Sequence, residues 1–119
     1  MSFLIDKILY FYYYGNMDGI EAVSILDALA QESRLAIFRL LVVSGPAGLN
    51  ATRIGESLGV PAATLSFHLK ELSHVGLIRK RKEGRFIYYA TDYPVMNDLI
   101  GFLTENCCAG TPCLPESSG

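Results

Sequence analysis

Apolar positions along the chain recur at helical spacing in several stretches and then give way to two strand-like runs. Ile20, Val23, Leu26 and Leu29 predict a first helix over 20–30, and Gln31-Glu32-Ser33 offers polar residues where a second can start. That second helix, over 33–43, carries Leu35, Ile37, Phe38, Leu40, Leu41 and Val42, an apolar surface wide enough to be the centre of the core. Ser44-Gly45-Pro46 ends it. A short third helix over 51–58 is capped by Asn50 and closed by Gly59, and at that length it needs tertiary support. Pro61, with its φ near helical values, suits the start of a fourth helix that runs through Leu65, Leu69 and Leu72 to about residue 74, where Gly76 stops it. Short helix, turn at Leu58-Gly59-Val60-Pro61, longer helix: this is the spacing of a helix-turn-helix. Strand-like runs over 77–82 and 85–90 follow, joined at Glu83-Gly84, where glycine accepts the positive φ of a tight hairpin. A last helix over 94–106 places Val95, Leu99, Phe102 and Leu103 on one side, and the tail over 109–119 is rich in Gly, Pro and Ser. The predicted fold is mainly α with a small β-hairpin, a winged helix-turn-helix. Its domain spans 20–106, between an apolar extension over 1–19 and a cysteine-containing tail over 107–119.

Length and charge refine this picture. A chain of 119 residues, 50% hydrophobic, closes one modest core. The net charge of −2 argues against a nucleic-acid partner when taken alone. Its distribution reverses that reading: Arg79, Lys80, Arg81, Lys82 and Arg85 face the single acid Glu83 across the hairpin, a local excess of four positive charges, which leaves the rest of the chain at −6. The run over 3–14 is very apolar, but Asp6 and Lys7 interrupt it, it is too short to span a bilayer, and it lacks the marks of a signal peptide. It reads either as a dimer-packing extension or as sequence upstream of a true start at Met17. The cysteines, Cys107, Cys108 and Cys113, are odd in number and clustered, a poor disulfide framework, so a reduced cytoplasmic setting is expected.

The order of elements resembles the ArsR/SmtB family of winged-helix repressors. The match is carried by Ala28-Leu29-Ala30, Arg34-Leu35, Leu40-Leu41, Leu58-Gly59-Val60, Leu65-Ser66, His68-Leu69-Lys70, Leu72, Gly76-Leu77, and Glu83-Gly84-Arg85 through Tyr88-Tyr89. The resemblance implies a homodimer built on the first and last helices, through Ile20, Val23, Leu26, Val95, Leu99, Phe102 and Leu103, and release of DNA when an inducer binds. Two positions depart from the family pattern: Gln31 stands where an acid usually opens the second helix, and Pro61 where a serine opens the recognition helix. The family's cysteine pair in the third helix and its histidine-containing zinc site on the last helix have no counterpart here.

With Leu65, Leu69 and Leu72 facing inward, Ala62, Ala63, Thr64, Ser66, Phe67 and Lys70 form the surface expected to enter a major groove. Ser66 suits a base edge or phosphate, Lys70 a phosphate, and the two alanines allow close approach. Phe67 either touches a thymine methyl or packs against the wing. His68 reads as a packed, hydrogen-bonded side chain and not as a ligand. A basic hairpin alone is an ordinary protected edge strand. Beside a helix-turn-helix, Arg81, Lys82 and above all Arg85 at its tip become expected phosphate contacts. One of Tyr88 and Tyr89 should pack inward. Twofold symmetry implies a roughly palindromic operator in double-stranded DNA, with half-sites about one helical turn apart.

Three thiolates are a soft donor set whose number matches pyramidal, three-coordinate As(III) or Sb(III), whereas structural zinc normally takes four ligands. Helical neighbours point about 100° apart, so Cys107 and Cys108 converge only if the helix unwinds, which Ala109-Gly110 permits. Some arsenic-responsive members of the family carry C-terminal cysteines of this kind. The expected function is therefore a metalloid-responsive repressor with As(III) as inducer and no organic cofactor; a thiol redox-responsive repressor is the alternative. An enzyme is not expected, because no activated cysteine with a partnering base is evident. A protein-interaction module that binds no DNA would lack the salt-sensitive affinity expected of the basic hairpin.

Overall fold

The computed structural model describes residues 17–111. The chain begins with α1 (Gly19–Leu29), capped by Asp18, whose Oδ1 accepts the Glu21 amide at 2.9 Å. Helix α2 (Glu32–Ser44) follows after a two-residue break. Gln31 takes over the capping work of an acid here, its Oε1 accepting the Arg34 amide at 2.8 Å, so the departure from the family pattern leaves the helix start intact. Strand β1 (Leu49–Asn50) leads directly into α3 (Ala51–Leu58), whose N-terminus is closed by Asn50 Oδ1 on the Arg53 amide at 2.9 Å. The turn into α4 (Ala62–His74) depends on Gly59, which sits at φ +67°, the left-handed region that costs other residues a steric penalty. Strands β2 (Ile78–Glu83) and β3 (Phe86–Thr91) form the hairpin, and α5 (Tyr93–Leu103) completes the domain before a short 3₁₀ turn, Cys107–Gly110.

The sheet has three antiparallel strands in the order β1-β3-β2. Its registers pair Ile78 with Thr91, Lys80 with Tyr89 and Glu83 with Phe86 on one side, and Leu49 with Tyr89 on the other. Three details differ from the sequence expectation. Strand β1 was not expected, because a two-residue strand carries no periodicity and is defined only by its partner β3. The hairpin turn is Gly84-Arg85, one residue later than Glu83-Gly84, which puts Arg85 on the tip itself. Helix α5 stops at Leu103, three residues short of the expected 106, and Thr104 Oγ1 bonds back to the Ile100 carbonyl at 2.8 Å.

The core is built where the apolar stripes of the helices meet. Ile37 and Leu41 of α2, Ile54 of α3, Leu65, Leu69 and Leu72 of α4, and Leu77 and Ile78 at the start of the hairpin are buried together. Burial of such side chains contributes roughly 1.5–3 kcal/mol each. Met17 is buried at the same core. Helix α5 is tied on through Tyr93, whose hydroxyl donates to the Val42 carbonyl at 2.9 Å, and through Asp92, which caps it on the Val95 amide at 3.1 Å. Among the described residues no helix is long and apolar enough to cross a membrane. The apolar run over 3–14, and Cys113, lie outside the described residues.

Candidate nucleic-acid interface and thiol cluster

Helix α4 has two faces with opposite fates. Leu65, His68, Leu69 and Leu72 are buried, while Ala62, Ala63, Thr64, Ser66, Phe67 and Lys70 are all exposed on the opposite side. The six recognition-helix positions expected from the sequence therefore share one open surface. Phe67 is 55% exposed, and its ring contact is with His68, centroids 5.7 Å apart; the wing's aromatic rings pair elsewhere. More than half of the Phe67 side chain is thus left open beside the wing.

His68 is buried and meets the Arg34 guanidinium, Nη1 to Nδ1 3.3 Å. Arg34 also donates through Nε to the Ala28 carbonyl at 2.7 Å. One side chain thereby links the C-terminal end of α1, the first turn of α2 and the recognition helix. Burial, reinforced by the neighbouring positive charge of Arg34, holds the His68 imidazole below its ordinary pKa.

The wing projects its basic residues. Lys82 and Arg85 are exposed at and beside the tip. Arg81 is exposed too, but its guanidinium is already engaged: Nε to Glu83 at 2.7 Å, Nη2 to the Ala47 carbonyl at 3.2 Å, and its plane over the Tyr88 ring at 5.2 Å. Of the two tyrosines, Tyr89 is the one that packs against the core, while Tyr88 pairs with Phe86, centroids 6.5 Å apart.

Helix α1 also has two apolar faces. Ala22, Ile25 and Ala28 enter the core, whereas Ile20 (81% exposed), Val23 (66%) and Leu26 turn away from it. On α5, Leu103 is 57% exposed and Val95 and Phe102 are partly buried against the core. Leu99 corrects the expectation: it is buried in the protomer's own core and is not available to a second copy, and Ile100 takes its place on the exposed side. The reason is helical geometry, since α5 needs an inward residue to dock at all and Leu99 points that way. Beside this face Asp98 lies in a groove with Met17, Ile20, Glu21 and His74, and burial together with the charge of Asp92 raises its carboxyl above the usual value.

After α5 the backbone leaves helical geometry. Asn106, Cys108 and Ala109 all have positive φ, at 57°, 53° and 53°. Such values are uncommon for residues other than glycine. The break turns the two adjacent cysteine side chains toward each other, with the Cys107 and Cys108 sulfurs 3.9 Å apart. Cys107 is exposed, and Cys108 takes part in a disulfide. Among the described residues no group of three or more His, Cys, Asp or Glu side chains forms a metal site.

A helix-turn-helix whose second helix presents an open face, followed by a basic two-stranded hairpin and flanked by two helices with free apolar sides, defines the class: a winged helix-turn-helix domain. The family model described as a helix-turn-helix domain matches residues 29–81. The uncharacterized HTH-type transcriptional regulator MJ1325 of Methanocaldococcus jannaschii is 33% identical over 85 residues, 71% of this chain and 93% of that protein. The uncharacterized HTH-type transcriptional regulator YceK of Bacillus subtilis is 44% identical over 64 residues, 54% of this chain and 63% of that one. The putative arsenical resistance operon repressor ArsR of Halobacterium salinarum is 35% identical over 69 residues, 58% of this chain and 53% of that one. The chain thus spans less than two thirds of the Bacillus and Halobacterium relatives. Among solved structures, an ArsR-like transcriptional regulator from Rhodococcus superposes with a TM-score of 0.65 at 29% identity, covering 76% of this chain and 81% of that one. Reduced HlyU from Vibrio cholerae gives 0.55 at 29%, covering 71% and 88%. The chain belongs to the ArsR-type family of winged helix-turn-helix transcriptional regulators.

Proposed function

We propose that the protein is a homodimeric repressor that grips operator DNA through α4 and the wing and releases it when As(III) or Sb(III) binds Cys107, Cys108 and Cys113. The observation that carries this reading is the unwound segment after α5, which brings two sulfurs to 3.9 Å at the end of a helix whose exposed residues Ile100 and Leu103 suit a dimer interface. Strained backbone that gathers soft donors has a use when the donors share one ion. The third thiol enters from sequence spacing alone, because Cys113 lies outside the described residues. Once a low-molecular-weight thiol has reduced the Cys108 disulfide, each As–S bond would form as one thiol proton and one arsenite hydroxyl leave as water, so three thiols consume all three hydroxyls. The arsenical-resistance name of the Halobacterium relative supports a metalloid inducer.

DNA release follows by linkage. Metalloid bound beside the dimer helices favours a protomer arrangement whose recognition helices no longer match successive grooves, and DNA affinity falls by the coupling factor, typically about 1–3 kcal/mol. Metalloid binding needs the thiols reduced, which fits a cytoplasmic setting, and the regulator acts by binding and not by catalysis.

Native mass spectrometry of the reduced full chain with and without arsenite tests the reading, beside a variant carrying Cys107→Ser, Cys108→Ser and Cys113→Ser. A dimer that gains one arsenic per protomer with loss of three thiol protons, absent in the variant, is the expected result. An unchanged mass would remove the arsenic site.

The disulfide at Cys108 favours a second reading, in which oxidation of the same thiols weakens the hold on DNA. Peroxide would then release DNA in the absence of arsenite. The likeness to reduced HlyU of Vibrio cholerae is compatible with this alternative.

A further inference from the structure

Most of the open face of α4 is polar or small, and Phe67 breaks that pattern. Its neighbours along the stripe are set by helical spacing: Ala63 lies four residues before it and Lys70 three residues after. A helical side chain leans toward the N-terminus, which directs Phe67 toward the turn that holds the small, exposed Ala63. Lys70 stands one turn behind it, at the height of a phosphate backbone if the N-terminal end of α4 enters a groove. The anchoring of its neighbour also restricts it: His68 is buried and bonded to Arg34, so Phe67 is held outward with 55% of its surface open.

An exposed phenylalanine at that place has one apolar partner on the edge of a base pair. The major groove presents donors and acceptors at every pair, and its apolar feature is the C5-methyl of thymine. We propose that Phe67 is a specificity-determining residue that reads a thymine methyl in each half-site of the operator. The inference rests on the DNA-binding reading above and adds to it a base and an atom. It also separates the roles of three neighbours: Lys70 holds the backbone, Ser66 is free to hydrogen-bond, and Phe67 discriminates by apolar contact.

The test starts with duplexes selected from a random pool by the reduced full-length protein. Each thymine in the selected site is then replaced by deoxyuridine, which removes the methyl and leaves Watson–Crick pairing unchanged. Wild-type affinity should fall about four-fold at one position per half-site, the factor that corresponds to burying one methyl-sized group. Phe67→Ala should bind the thymine and deoxyuridine duplexes equally at that position, while Phe67→Leu keeps part of the discrimination. Since Phe67 lies outside the buried core cluster, both variants should keep the wild-type circular dichroism spectrum and subunit mass. Wild type indifferent to every deoxyuridine, selected sites without a thymine in the protected major groove, or Phe67→Ala with undiminished discrimination would each overturn the assignment. Failure to select any DNA would instead overturn the DNA-binding reading on which it stands.

Discussion

The Arg34 guanidinium lies 3.3 Å from Nδ1 of His68, and this contact joins α2 to α4, the second helix of the helix-turn-helix. A guanidinium only donates, so Nδ1 accepts, which fixes a neutral imidazole with its proton on Nε2. Protonation would place two positive charges together in a buried site.

Stability should therefore fall on acidification. The folded-state pKa of His68 is lowered from 6.5, first by burial and then by Arg34, so the unfolded chain takes up the proton first. The contribution is fully present above 6.5 and is lost as pH falls through the lower folded value. Urea denaturation between pH 7.5 and 5 should show a midpoint that drops more steeply for wild type than for His68→Asn, whose amide oxygen stands where Nδ1 does and can accept from Arg34. Parallel slopes would mean that another group titrates.

The free apolar side of α1 should hold two copies together. Val23 is 66% exposed and contributes little to the protomer's own core, so Val23→Glu should leave the fold intact and place a charge in the interface. Sedimentation at micromolar concentration should show monomer for the variant and dimer for wild type. A variant that remains dimeric would move the interface away from this face.

At the wing tip, charge should act without reading sequence. Arg85→Ala is expected to weaken binding to specific and random duplexes by similar factors, and to flatten the slope of log affinity against log salt by about 1. Arg81→Ala should have a smaller effect on the salt slope, since Glu83 already partners its guanidinium. An equal loss at both positions would show that Arg81 leaves its intramolecular contacts when DNA binds.

Gly48 marks the seam between β1 and β3. Its φ is +73°, and a Cβ there would collide with the Tyr89 carbonyl. Gly48→Ala should cost about 1–3 kcal/mol in thermal or urea denaturation, the order typical of a non-glycine residue forced into such backbone. A neutral substitution would mean that β1 can shift without loss.

Legibility from sequence followed the range of the interactions involved. Leu65, Leu69 and Leu72 declare the inward face of α4, and hence the outward Ala62, Ala63, Thr64, Ser66 and Lys70, because a helix's periodicity is local. Leu99 was misplaced for the complementary reason. Four apolar residues on one side of α5 do not reveal which faces the protomer and which a partner, and only the neighbouring core residues decide it. Strand β1 was missed because two residues have no period.

By itself the sequence determined the order of helices and hairpin, the helix-turn-helix, the concentration of positive charge on the wing and the clustering of thiols near the end of the chain. Each of these is a property of residues close together in the chain. Tertiary structure alone decided that Phe67 stays open, that Arg34 ties His68 to Ala28, that Arg81 spends its charge on Glu83, and that Ile20 and Val23 turn away from the core while Ala22 and Ile25 enter it. Those outcomes depend on which surfaces meet when distant segments close on one core, and no local pattern contains that information.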